Sequence, residues 1–206
     1  MSSVNQLSFR AGVLTVSDKG SQGLREDRSG DAVEALLQEK GFRVEQRDMV
    51  PDEQDQIEKI LIEWVDKKGL SLIVTTGGTG LTPRDVTPQA TKAVIDYEVP
   101  GMAEAMRAES LKKTPHAMIS RAVAGVRKSC LIINVPGSPR AAVENLSVVV
   151  PALEHALSLK SLFLLFLYNF LFGCFEACLH RKVLLALYRL SSHGLGKEKG
   201  YLWEKD

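Results

Sequence analysis

Leu72-Ile73-Val74-Thr75-Thr76-Gly77-Gly78-Thr79-Gly80-Leu81-Thr82-Pro83-Arg84-Asp85-Val86-Thr87-Pro88 decides the reading of this chain. A short, β-branched apolar run predicts a buried strand, and it feeds straight into glycines interleaved with threonines. Glycine tolerates the positive φ angles of such a loop and lets a ligand approach the bare backbone. The free amide N–H groups and threonine hydroxyls make a donor surface suited to phosphate or another anion. A tight strand-to-helix turn needs the same residues. The loop lacks both the Lys-Ser/Thr ending of a P-loop and the spacing of a dinucleotide fingerprint.

Outward from this loop, strand-like and helix-like segments alternate. Residues 11–16, 42–50, 72–75 and 130–135 read as strands. Helices are expected at 30–40, where Val33, Leu36 and Leu37 recur at helical spacing, and from Pro51-Asp52, with Ile57, Ile60, Leu61 and Trp64 on one face. Further helices are expected at 87–94, 102–112, 120–125 (short) and 140–157, with Pro151 a candidate kink. Gly41 and Gly69 are placed to end two of them. Pro100-Gly101 and Thr114-Pro115 read as breaks. This alternation implies an α/β fold, a three-layer α/β/α sandwich with a mostly parallel sheet. In such sheets ligands bind beyond the C-terminal ends of the strands. Ser17-Asp18, Pro51-Asp52, the glycine loop and Pro136-Gly137-Ser138-Pro139 all fall there.

Two carboxylates stand out, Asp52 and Asp85, each following a strand. Two carboxylates plus phosphate oxygens are a common way to hold Mg²⁺, which keeps several waters and needs few protein ligands. Neutralising phosphate charge during in-line attack is the main task of phosphoryl and nucleotidyl transfer. The plainer reading makes Asp52 a helix cap and Asp85 the closure of a turn after Pro83. Both readings stand at this point. Asp27-Arg28-Ser29-Gly30 lies at a helix start, either an anion site or an ordinary cap. His116 and His155 have no partner at metal-ligand spacing, and Cys130 sits within an apolar strand.

The 206 residues suit one domain plus an appendage. A net charge of +1 gives no reason to expect nucleic acid as a partner. Three cysteines make no disulfide framework, and residues 1–10 lack a signal-peptide core, so a cytoplasmic protein is expected.

Together these residues resemble the molybdopterin adenylyltransferase family of molybdenum cofactor biosynthesis, which includes the N-terminal domain of gephyrin. The resemblance rests on Thr75-Thr76-Gly77-Gly78-Thr79-Gly80, Pro83-Arg84-Asp85-Val86-Thr87-Pro88 and Val50-Pro51-Asp52-Glu53. It also rests on Leu14-Thr15-Val16-Ser17-Asp18, Asp27-Arg28-Ser29-Gly30, Val99-Pro100-Gly101, residues 109–115, Ser120-Arg121 and Pro136-Gly137-Ser138-Pro139. It implies the molybdopterin-binding fold and transfer of AMP from ATP to the terminal phosphate of molybdopterin, with Mg²⁺ required and pyrophosphate released. It also implies that Asp52 and Asp85 match the family's essential aspartates, as metal ligands and catalytic residues. Gly77, Gly78, Thr79 and Gly80 would contact ligand phosphates, and Ser110 and Ser120 match serines of pterin binding. Ser17, Asp18, Gly137 and Ser138 would complete the walls. The family further implies a homotrimer or a hexamer of paired trimers. Some relatives bind the pterin with little activity, so a carrier is the alternative, and a scaffold a more distant one.

The resemblance covers residues 10–157, which sets the expected domain at 1–157. The tail, 158–206, departs from it: residues 159–179 are strongly apolar, close to the roughly 20 residues a membrane span needs. Asn169, Gly173 and Glu176 interrupt that run, and a mid-span carboxylate is costly. A membrane anchor, an added helical hairpin and translated sequence without selected function compete; the last is preferred.

Overall fold

The computed structural model describes residues 9–172, with side chains through Leu159. In chain order the elements are β1 (Arg10–Val16), α1 (Asp18–Ser21), α2 (Arg28–Glu39), β2 (Arg43–Val50), α3 (Gln54–Asp66) and β3 (Leu72–Thr76). Then come α4 (Thr87–Val94), β4 (Tyr97–Glu98), α5 (Pro100–Leu111), a 3₁₀ helix at Pro115–Ile119, β5 (Ala124–Arg127), β6 (Cys130–Val135) and α6 (Pro139–Phe172). One six-stranded sheet has the order β2-β1-β3-β6-β5-β4. The first four of these run parallel, while β5 is antiparallel to both of its neighbours.

Alternation along the strands divides the core. Ala11, Val13, Leu72, Val74, Leu131 and Ile133 join Val33, Leu36 and Leu37 of α2, Ala103 and Met106 of α5, and Leu146 and Leu153 of α6. Leu14, Val16, Ile73 and Ile132 join Ile57, Leu61 and Trp64 of α3 with Ala90 and Val94 of α4. The result is the three-layer α/β/α sandwich expected from the sequence. Cys130 is fully buried in the second of these layers.

Capping sets several boundaries. Asp27 caps α2, its Oδ1 accepting from the Gly30 N–H at 2.9 Å. Gly41 and Gly69, at φ 83° and 65°, turn the chain out of α2 and towards β3. Four boundaries differ from the sequence reading. α3 starts at Gln54 with Glu53 at its N-cap, so Asp52 lies outside the helix. Pro100 opens α5 instead of preceding it, as its fixed φ and missing N–H allow. A single helical turn, α1, occupies the loop after β1. Residues 120–125, read as a short helix, instead lead into β5, which pairs with β4 and β6.

α6 runs past Leu157 to Phe172, with Pro151 inside it, where proline has no N–H to give the Ser147 carbonyl. Among the described residues no helix is long and apolar enough to cross a membrane. Most of the expected tail lies outside the described residues.

Candidate functional site

The parallel strands deliver their loops to one edge of the sheet, where a cleft of about 360 Å³ opens. Ser17 reaches it from the end of β1, Asp52 from β2, Gly77, Gly78 and Asp85 from beyond β3, and Gly137 and Ser138 from β6. Arg25 and Arg28 line it from the segment leading into α2. The same segment brings Glu26 and Asp27, so guanidinium and carboxylate groups are mixed there, while Asp52 and Asp85 come from the loops after β2 and β3.

The backbone of the glycine loop is forced. Gly77 has φ 104°, and a Cβ there would fall 2.2 Å from the Val16 carbonyl oxygen. Gly78 has φ 62°, and its Cβ would fall 2.4 Å from Thr87 Oγ1. Gly77 N–H donates to the Val135 carbonyl, and Thr76 Oγ1 donates to that of Pro136. A Cβ on Gly137 would lie 3.1 Å from Gly77 Cα, so the loops after β3 and β6 pack backbone against backbone.

Asp18 and Asp52 are interlocked. Asp18 N–H donates to Asp52 Oδ2 at 2.9 Å, and Asp52 N–H donates to Asp18 Oδ1 at 3.0 Å. Arg84 then closes on the Asp18 carboxylate with two donors, at 3.0 and 2.7 Å, and reaches Glu53 at 2.8 Å. That clamp holds the Asp18 carboxyl below its usual range. Burial pushes the Asp52 carboxyl up, offset in part by the Asp18 N–H. Helix capping does not account for Asp52, because its carboxylate accepts from Asp18 rather than from α3.

Asp85 does close a turn: its Oδ2 accepts from Thr82 N–H at 2.8 Å and from Thr82 Oγ1 at 2.6 Å. Burial alone would raise this carboxyl, but the bonds from Thr82 and Gly80 outweigh burial and hold it low. It lines the cleft as well. Ser17 and Ser138 also double as local caps, accepting from the N–H groups of Gly20 and Ala141.

The glycine loop has a second side. A cavity of about 270 Å³ is lined by Thr79, Gly80, Arg107, Ser110, Lys113 and Ser120, with Asn145 behind them. Asn145 Nδ2 donates to Ser110 Oγ at 3.1 Å. The candidate residues therefore divide: Gly77 and Gly78 face the cleft with the aspartates, while Thr79 and Gly80 face the cavity with Ser110 and Ser120. Asp18 stands behind Asp52, occupied by Arg84.

Three residues outside the predicted set organise the site. Arg84 is the clamp just described. Arg121 donates from Nε to the Gly80 carbonyl at 2.6 Å and from Nη2 to that of Asp85, pinning both ends of the loop. Asn134, fully buried, donates to Thr75 Oγ1 and Thr91 Oγ1 at 2.8 Å each and accepts from Val123 N–H. A polar residue in the middle of Cys130-Leu131-Ile132-Ile133-Asn134-Val135 was the available signal for the last. Thr87 Oγ1 is the single buried side-chain oxygen or nitrogen without a partner among the described residues.

The sequence profile described as probable molybdopterin binding domain matches residues 12–155. The molybdopterin adenylyltransferase of Helicobacter pylori strain J99 is 45% identical over 157 residues, covering 74% of this chain and 88% of that protein. Gephyrin of Dictyostelium discoideum is 44% identical over 158 residues, 72% of this chain but 22% of that longer protein. The crystal structure of the molybdopterin biosynthesis enzyme MoaB from Thermus thermophilus superposes with a TM-score of 0.71 at 54% identity, covering 74% of this chain and 96% of that one.

Proposed function

Since the chain belongs to the probable molybdopterin-binding domain family, we propose that it is a molybdopterin adenylyltransferase, moving AMP from ATP to the terminal phosphate of molybdopterin. A phosphate oxygen of the pterin attacks the α-phosphorus of ATP. The bond from that phosphorus to the α,β-bridging oxygen breaks, and pyrophosphate leaves. The observation that carries this reading is one glycine loop shared by two adjoining pockets, one with the aspartates and arginines, the other with Ser110, Ser120 and Lys113. Two phosphorylated substrates meeting across one loop need such an arrangement.

The cleft takes the nucleotide. Its free backbone N–H groups and the guanidinium groups of Arg25 and Arg28 suit a polyphosphate. The second cavity takes the pterin, with Ser110 and Ser120 as hydrogen-bonding groups and Lys113 as a nearby cation. The nucleophile is already anionic, so little general-base help is needed, and catalysis rests on positioning and charge neutralisation.

Magnesium fits this donor set. Among the described residues no three acidic, histidine or cysteine side chains converge. Of the four carboxylates that line the cleft, Glu26 is paired with Arg28 and Asp27 is held by Thr15, Gly30 and Arg47, which leaves Asp52 and Asp85. That suits a cation that keeps waters and takes substrate oxygens. Asp52 and Asp85 would hold it, and when bound it would neutralise charge on the transferring phosphate. A homotrimer or paired trimers complete the proposal, with sedimentation velocity as its check. The activity is tested by pyrophosphate release from ATP in the presence of Mg²⁺ and molybdopterin. Tight pterin binding without pyrophosphate release would make the chain a carrier instead.

A further inference from the structure

A third cavity, of about 480 Å³, opens between α4, β4, α5 and the segment leading into β5. It adjoins the pterin cavity through Arg107 and Ser120, which line both, while Asp52, Asp85 and the glycine loop lie outside it. Its lining sets three cations, Lys92, Arg107 and Arg121, against one carboxylate, Glu98. Glu98 is already taken by Lys92, at 2.9 Å. Arg107 donates from Nη1 to the Ala122 carbonyl at 2.9 Å, and Arg121 donates from Nε and Nη2 to the carbonyls of Gly80 and Asp85. Carbonyls orient a guanidinium without neutralising it. Among the described residues, Arg25, Arg107 and Arg121 are the arginines with no carboxylate within ion-pair distance, and Arg25 lies in the nucleotide cleft. Arg121 acts on the Asp85 carboxyl only at longer range.

A partly buried guanidinium without a counter-charge gains most from a ligand that brings one. Two such groups in one cavity, with Lys92 beside them, leave two positive charges beyond that of Glu98. We propose that this cavity is an anion site, distinct from the two reaction pockets, that takes a phosphate dianion, either free or carried by a small phosphomonoester. Planar N–H edges match phosphate oxygens. Nη1 of Arg121, and Nε and Nη2 of Arg107, make no hydrogen bond among the described residues and are open to such a ligand. The Ser120 hydroxyl lines the same space. Glu98 works against the site, since it occupies Lys92 and repels a second anion. Arg121 also holds both ends of the glycine loop, so the ligand would meet the residue that fixes that loop. The site goes beyond adenylyl transfer and does not depend on it.

The test titrates the full chain with inorganic phosphate and with glycerol 3-phosphate by calorimetry, at about 0.15 M salt, where attraction to exposed charge is largely screened. Arg107→Gln should weaken binding about tenfold, the loss of a bond between charged groups, and Lys92→Gln should weaken it severalfold. Glu98→Gln should tighten it severalfold, a gain that damage to the fold cannot imitate. A chain carrying both Arg25→Gln and Lys113→Gln, which removes cations from the two reaction pockets, should keep the binding. Tighter binding of the ester assigns the site to phosphomonoesters; tighter binding of inorganic phosphate assigns it to the free ion. No saturable binding of either probe by the parent overturns the proposal, as does parent-like binding when Arg107→Gln and Lys92→Gln are combined. Binding lost with Arg25→Gln and Lys113→Gln but kept with Lys92→Gln puts the anion in the reaction pockets and overturns it too. If Arg107→Gln does not fold, equal affinities of Lys92→Gln and Glu98→Gln have the same force.

Discussion

Asp18 and Asp52 each donate a backbone N–H to the other's carboxylate, at 2.9 and 3.0 Å. This reciprocal pair joins the loop after β1 to the loop after β2 and fixes Asp52 at the cleft with one oxygen free. Two like charges are tolerated so close because Arg84 neutralises Asp18 from outside.

Asp52→Asn separates stability from binding. Burial raises the folded Asp52 pKa, so the native state holds its proton more tightly than the unfolded chain. Stability therefore falls as pH rises from about 4, the unfolded value, through the raised folded value. Asparagine removes that penalty and still accepts the Asp18 N–H. The variant should match or exceed the parent's melting temperature at pH 7, with the advantage gone below about pH 4, while Mn²⁺ affinity drops at least tenfold. Melts at the two pH values check the sign.

Gly78→Ala and Gly101→Ala should behave in opposite ways. At Gly78 a Cβ meets Thr87 Oγ1 and Asp52 Oδ1 at positive φ, so a loss of about 1–3 kcal/mol is expected, together with nucleotide affinity. Gly101, in the first turn of α5, has nothing within 4 Å, so alanine should be neutral or add up to about 1 kcal/mol. Urea titrations of the pair measure both.

Arg84→Lys is not conservative here. A single ammonium cannot reproduce two donors on Asp18 and one on Glu53. The ion pair is half exposed, so stability should change by less than about 1 kcal/mol. The KM for ATP should rise about tenfold as the hold on Asp18 and Asp52 slackens, the size of effect a charge-assisted bond carries. A large melting shift with an unchanged KM would contradict this.

Asn134→Leu should do the reverse. It strands Val123 N–H and frees the hydroxyls of Thr75 and Thr91 in the core. A loss of about 2–4 kcal/mol is expected, with Mn²⁺ affinity unchanged in the folded fraction. Denaturant melts and relaxation titrations read the two effects apart.

The sequence showed most of the parallel half of the fold. Three of its four strands, β1, β3 and β6, are apolar runs, whereas β2 is mostly charged and polar; Pro51, Gly77 and Pro136 close β2, β3 and β6 where their loops meet at the cleft. The antiparallel edge was not legible. β4 is two residues long, and the helix expected at 120–125 is β5, with Gly125 set where its Cβ would lie 2.4 Å from Ile95 Cδ1 and 2.9 Å from the Tyr97 carbonyl. No short-range period announces a strand so brief. The division of the glycine loop between two pockets was also hidden, because Arg121 pins it from 41 residues away in sequence. Asp85 shows why spacing alone left two readings open: it closes the turn at Thr82 and lines the cleft as well.

The most direct measurement is pyrophosphate release from ATP by the full chain with Mg²⁺ and molybdopterin, beside Asp52→Ala and Asp85→Ala. The account predicts molybdopterin-dependent release in the parent and a loss of at least about a hundredfold in each variant, both still folded by circular dichroism. Near-parent release by either variant would contradict the assignment of the two carboxylates, and no release by the parent would contradict adenylyl transfer itself.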